Sequence, residues 1–176
     1  MNKINKFFRK NSLAVIIMIT GVLALVFAHV FSGLYGRVGD ERYYIKTLDF
    51  VFGKAKMQVT TKEFATVVNL SGGVSIFGVV FVVFIIASII FEIISIFAKN
   101  FPFDYYGAVF MVISGVAMLM LFNMGTVFYF GKNAVDFRAF VSLYGFKLGV
   151  GAIVSGTTAI VGGIVGIIIE ENNLIR

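Results

Sequence analysis

Four apolar stretches constrain this chain more than any other feature of its sequence. They cover residues 12–35, 71–98, 105–130 and 143–169. A helix needs about 20 apolar residues to cross the roughly 30 Å hydrocarbon layer of a bilayer, and each stretch is long enough. The mean hydropathy of +0.97 and the 59% share of hydrophobic residues exceed what one soluble core can bury. The sequence therefore predicts an all-α membrane protein, an antiparallel four-helix transmembrane bundle that forms a single domain.

The first apolar stretch is expected to remain as a membrane span. It is longer than the roughly 7–15 apolar residues of a signal peptide, although a basic segment precedes it. The basic residues of that segment are Lys3, Lys6, Arg9 and Lys10. Positive charge beside the first span favours a cytoplasmic N-terminus, and four spans then place both termini in the cytoplasm of a cell. Further Lys and Arg residues in the loops oppose this orientation, but acidic neighbours dilute them.

The segment 36–70 is the largest polar stretch between the spans. Apolar residues alternate over 48–59, which predicts a small β-hairpin turning near Gly53, with an irregular loop as the alternative. Thr60 and Glu63 have the spacing of a capping box, which predicts a helix that runs into the second span. Four helices with a larger, β-structured first outer loop resemble the tetraspan plan of the claudins. The chain lacks the cysteine pair of that family, so the resemblance is one of architecture.

Small residues recur at helical spacing along the fourth stretch. The row consists of Gly149, Ala152, Gly156, Ala159, Gly163 and Gly166. A matching row in the first stretch consists of Gly21, Ala24 and Ala28. Small residues let helix backbones approach closely in lipid, where little hydrophobic force brings helices together. The row indicates packing within one subunit, an interface between subunits, or the wall of a pore.

Glu92 is the most informative polar residue of the spans, because a carboxylate in hydrocarbon is costly and usually has a purpose. Ser88 and Ser95 share its helical face. One hypothesis makes this stripe an ion or proton site. The structural alternative has Glu92 reach interfacial water or pair with Arg9 or Lys10.

The remaining chemistry of the chain is sparse. His29 is the single histidine, and it is either a titrating group near the outer surface or a ring held by a structural hydrogen bond. There is no cysteine and no nucleotide-binding or metal-ligand motif, so no cofactor, metal or catalytic residue is expected. The formal charge of +6 is dispersed among loops and suits lipid headgroups rather than nucleic acid.

These observations favour a noncatalytic integral membrane subunit. It is expected to assemble with itself or with another membrane protein, using the small-residue face of the fourth span and the loop between the first two spans. The rival hypothesis is a homo-oligomeric ion channel or small proton-coupled transporter that uses Glu92. The absence of Trp and Cys, with many Lys, Asn, Ile and Phe, suits a bacterium with an A+T-rich genome.

Overall fold

The computed structural model describes residues 11–52, 56–60, 65–69, 75–98, 102–122, 127–130, 133–136 and 145–174. This part of the chain is mostly helical. Its helices are α1 (Ser12–Val30), α2 (Thr47–Val51), α3 (Ile76–Phe97), α4 (Phe103–Leu119) and α5 (Val150–Leu174). A 3-10 turn at Met120–Phe122 follows α4.

Three of these helices, α1, α3 and α5, are long and apolar enough to cross a membrane. Helix α4 has 17 residues and is shorter than a typical span. Helix α4 packs against α3 on one side and α5 on the other, and α1 contacts both α3 and α5. Fully buried side chains from these helices meet in one core: Ile17, Phe81, Ile85, Met111, Met118 and Ala159.

The outer faces of the long helices carry large apolar side chains. Exposed residues of this kind include Ile19, Val26, Val83, Ile90, Ile113, Val161 and Ile168. Such a surface would be unfavourable in water and is what a helix presents to acyl chains. The described helices are therefore compatible with an integral membrane protein.

The described residues also contain seven strands, whereas the sequence analysis predicted only a small β-hairpin. They are β1 (Ser32–Val38), β2 (Glu41–Lys46), β3 (Lys56–Thr60), β4 (Ala65–Asn69), β5 (Val127–Phe130), β6 (Asn133–Asp136) and β7 (Lys147–Leu148). Five of them pair antiparallel in the order β4-β3-β2-β1-β7, and β5 pairs with β6 in a separate hairpin. The sheet thus joins the loop after α1 to the residues just before α5.

The hairpin predicted over 48–59 is not present in the described residues. Helix α2 covers most of its first half, and β3, in its second half, pairs with β2 and β4 instead. The helix predicted from the Thr60 and Glu63 spacing is also replaced, since Ala65–Asn69 is strand β4. Helix α3 begins at Ile76, where the Ser75 hydroxyl accepts a hydrogen bond from the Gly78 amide at 3.2 Å.

The apolar stretches and the helices also end at different residues. In the first stretch the helix ends at Val30, and strand β1 begins at Ser32. In the third stretch Val127–Phe130 is strand β5, whose aromatic and β-branched residues suit a strand. The fourth stretch becomes helical only at Val150, after a turn in which Gly145 has a φ of 57°.

Candidate functional site

The small-residue row of α5 lies against neighbouring helices of the same chain. All six members are buried. A methyl group on Gly163 would lie 2.5 Å from the carbonyl oxygen of Ala108 in α4. A methyl group on Gly156 would lie 3.0 Å from the carbonyl oxygen of Gly115. Both separations are closer than ordinary van der Waals contact, so the two backbones meet at these residues.

The start and the inner side of α5 make similar contacts. Gly149 packs on the backbone of Ser32 and Gly33, and its amide donates a hydrogen bond to the Gly33 carbonyl at 2.7 Å. Gly166 contacts both Ala108 and Ile17. The row thus brings α5 close to α4 and α1, while its exposed side carries residues such as Val161.

The predicted row of α1 is buried as well. Ala24 and Ala28 are fully buried. A methyl group on Gly21 would lie 3.1 Å from Ile89 of α3 and 3.5 Å from the Met111 sulfur of α4. These three positions therefore let α1 approach its neighbours within the chain.

Glu92 lies between α3 and α4 and is fully buried. Among the described residues, neither carboxyl oxygen has a hydrogen-bond donor. Its Oε1 atom occupies the space that a side chain on Gly107 would fill, so the glycine of α4 makes room for the carboxyl group. Asp104, in the first turn of α4, lies one helical turn before Gly107 and has a buried Oδ1 atom.

The two serines of the predicted stripe bond to backbone atoms. The Ser88 hydroxyl is buried and donates to the Gly107 carbonyl at 2.7 Å, which ties α3 to α4 one turn from Glu92. The Ser95 hydroxyl donates to the backbone carbonyl of Glu92 at 2.8 Å within α3. Both serines thus share the face of Glu92, but neither hydroxyl bonds to its carboxyl oxygens.

Aromatic rings cover the neighbouring part of the α3–α4 contact. Phe91 stacks on Phe110 with ring centroids 5.2 Å apart, and its ring lies 5.6 Å from that of Phe103. Phe84 meets Phe110 edge-on at 5.0 Å. These rings line the contact between α3 and α4, the two helices that enclose Glu92.

His29 does not join this group. It is exposed in the last turn of α1, near the sheet, whereas Glu92 lies toward the C-terminal end of α3. Arg9 and Lys10, the partners considered for Glu92, lie outside the described residues. The ion pair predicted as the structural alternative therefore stays a prediction.

The sheet packs one face on the ends of the helices. Leu34 and Ile45 are fully buried, and Tyr43 meets Phe146 edge-on at 6.3 Å. Helix α2 fastens this unit to α3, because Val51 is fully buried against Gly78 and accepts a hydrogen bond from the Ser75 amide at 3.2 Å. The sheet is thus held against the helices by buried contacts.

Several residues of these sites escaped the sequence analysis, although the sequence held signals for them. Gly39 and Asp40 form the two-residue turn between β1 and β2, with a φ of 60° at Gly39. A glycine first in such a turn is a hairpin signal. In the third apolar stretch, Gly107 and Gly115 supply the small positions that receive Glu92 and α5.

No protein-family model, curated protein or solved structure matches the chain. What the fold itself defines is a mostly helical protein compatible with integration in a membrane, with a five-stranded sheet fixed to one end of its helices.

Proposed function

We propose that this chain is a noncatalytic integral membrane subunit that assembles with a second copy or with another membrane protein. In this proposal α1, α3, α4 and α5 form an antiparallel transmembrane bundle in the cell membrane. Both termini face the cytoplasm, and the sheet stands on the outer side. The sheet, most of which comes from the loop between α1 and α3, makes the assembly contact.

The observation that carries this proposal is the edge of the sheet at β4. Among the described strands, β4 pairs with β3 alone, over five residue pairs from Lys56–Asn69 to Thr60–Ala65. An edge strand presents unpaired backbone N–H and C=O groups along its free side. A strand from a partner can add to such an edge, and its backbone hydrogen bonds then supply affinity.

The contacts of α5 support placing the assembly surface on the sheet rather than on the fourth span. The small residues that suggested a contact between subunits already lie against α4 and α1 of the same chain. What α5 leaves exposed is a face of branched aliphatic residues such as Val161 and Ile168. Lipid covers such a face without a protein partner. The proposal therefore assigns α5 to the fold and the sheet to assembly.

A charge placed on the β4 edge tests this proposal. Ala65 is exposed at the start of β4, so Ala65→Arg leaves the core intact while it hinders strand addition. Val38→Arg is the matched control, because Val38 is also exposed on the sheet but lies at the β1–β2 turn. Native mass spectrometry from lipid measures the assembly, and we expect Ala65→Arg to lower its mass.

The control separates an edge contact from a general effect of added charge. Val38→Arg is expected to keep the wild-type mass and partner set. Equal masses for the wild type and Ala65→Arg would refute the contact at β4, and a wild type that is monomeric in lipid would refute the assembly function altogether.

A further inference from the structure

We propose that Glu92 and Asp104 form a buried proton-binding site, in which the two carboxyl groups share one proton between α3 and α4. This site is independent of the assembly function, because it lies within the helices rather than on the sheet. It gives the proton-coupled transport hypothesis a defined place in the fold.

The Glu92 side chain lies in surroundings that disfavour a charge. It is 0% exposed, and the described part of the chain provides no hydrogen-bond donor to either of its oxygens. An ionised carboxyl group in this position would cost several kcal/mol without compensation. Proteins avoid that cost by giving such a group a proton, a cation or a hydrogen-bond donor.

Asp104 is the second carboxyl group of the proposed site. Asp104 belongs to the first turn of α4, and its Oδ1 atom is also buried with no hydrogen-bond donor from the described residues. Asp104 lies three residues before Gly107 in α4, and Glu92 Oε1 occupies the space beside Gly107, so the two carboxyl groups lie along one face of α4. Two carboxylates in one apolar site repel each other, and one shared proton removes half of their charge and supplies the missing donor.

The described residues place no positively charged side chain near Glu92. Glu92 is the only ionisable residue of α3, and residues 11–28, which include most of α1, contain none. Near Glu92, helices α4 and α5 contribute only carboxyl groups and the two tyrosines that follow Asp104. The described surroundings of Glu92 thus supply acids rather than bases.

The oxygen ligands present favour a proton over a metal ion. Calcium and magnesium require about six or more oxygen ligands. No group of three His, Cys, Asp or Glu side chains in the described part of the chain is arranged to hold a metal. The nearby Ser88 hydroxyl is already engaged with the Gly107 carbonyl. Two carboxyl groups suffice for a proton.

The site is also placed to exchange protons with water. Asp104 and Glu170 are partly exposed and lie near helix ends, whereas Glu92 is fully buried. The rings of Phe91, Phe103 and Phe110 pack on one another along the contact between α3 and α4. Proton transfer from Asp104 to Glu92 forms one O–H bond, breaks another and leaves the total charge of the pair unchanged.

Infrared spectroscopy of the protein in lipid tests the site. At neutral pH we expect the carbonyl stretch of one protonated carboxyl group, with the shift in D2O that an exchangeable proton produces. Glu92→Gln should abolish this band, and Asp104→Asn should shift its frequency. Glu171→Gln is the matched control, because Glu171 is exposed in the last turns of α5, and it should leave the band unchanged.

Circular dichroism confirms that each variant retains its helices. The absence of the band in folded wild-type protein, or its persistence in folded Glu92→Gln, would overturn the proposal. A band that appears only after Na⁺ and K⁺ are withdrawn would assign the pair to a monovalent cation and would also overturn it.

Discussion

At the scale of single residues, the fold depends on where a side chain is missing. Gly107 has no side chain, and the carboxyl group of Glu92 fills the space beside it. Gly145 adopts a φ of 57° beside the Arg37 carbonyl, a conformation that favours glycine. The two glycines serve different ends, since one receives a neighbour and the other turns the chain into β7.

The methyl group of Gly107→Ala would overlap Glu92 Oε1, the end of a flexible side chain, so we expect an overlap cost of about 1 kcal/mol that the higher helix propensity of alanine partly offsets. In a Glu92→Ala background the same change should cost much less, since the space is then free. Thermal unfolding in detergent, followed by circular dichroism, measures both effects. Val116→Ala on the exposed side of α4 is the control, and it should behave additively with Glu92→Ala. Full additivity of Gly107→Ala would contradict the contact.

The spacing of small residues in the sequence predicted which positions of α5 share one face. The period of three and four selected the positions of α5 that lie against α4 and α1, because helical geometry fixes which residues share a face. The same reasoning could not choose their partner, since a groove of small residues fits any close helix. It also gave no reason to single out Asp104, whose Oδ1 atom is buried only because α4 packs in the folded chain.

At the scale of elements, α5 is defined by a sharp difference between its two sides. A leucine at Gly163 would collide with the backbone of Ala108 and Val112, whereas a leucine at Val161, which is 60% exposed, would point outward. Gly163→Leu should therefore lower the free energy of unfolding by at least about 1–3 kcal/mol. Val161→Leu should leave it nearly unchanged. Thermal denaturation of the purified variants compares them, and similar unfolding midpoints would mean that α5 does not pack on α4 as described.

Helix boundaries were less predictable than helix existence. Val127–Phe130 is apolar and short, and a run of that length reads equally well as buried helix or strand. Similarly, 32–35 continues the first apolar stretch but belongs to β1, which pairs with β7, a strand whose residues lie far along the chain. Tertiary pairing of this kind leaves no local period in the sequence.

At the scale of the whole molecule, two regions have separate roles. The helices bury their small residues against each other and expose aliphatic side chains, while the sheet rests on one end of the helices through Leu34, Ile45 and Val51. Composition and hydropathy were sufficient to predict a helical membrane protein. They could not predict the five-stranded sheet, because its strands come from two distant segments of the chain.

In the proposed assembly, partners meet the sheet edge and the outer face of α5 meets lipid. A photoreactive amino acid placed at position 65 of β4, and separately at position 161 of α5, tests this in native membranes. We expect a discrete protein adduct from position 65, identified by mass spectrometry as a second copy or a defined partner, and only lipid adducts from position 161. A protein adduct from position 161 with none from position 65 would contradict it.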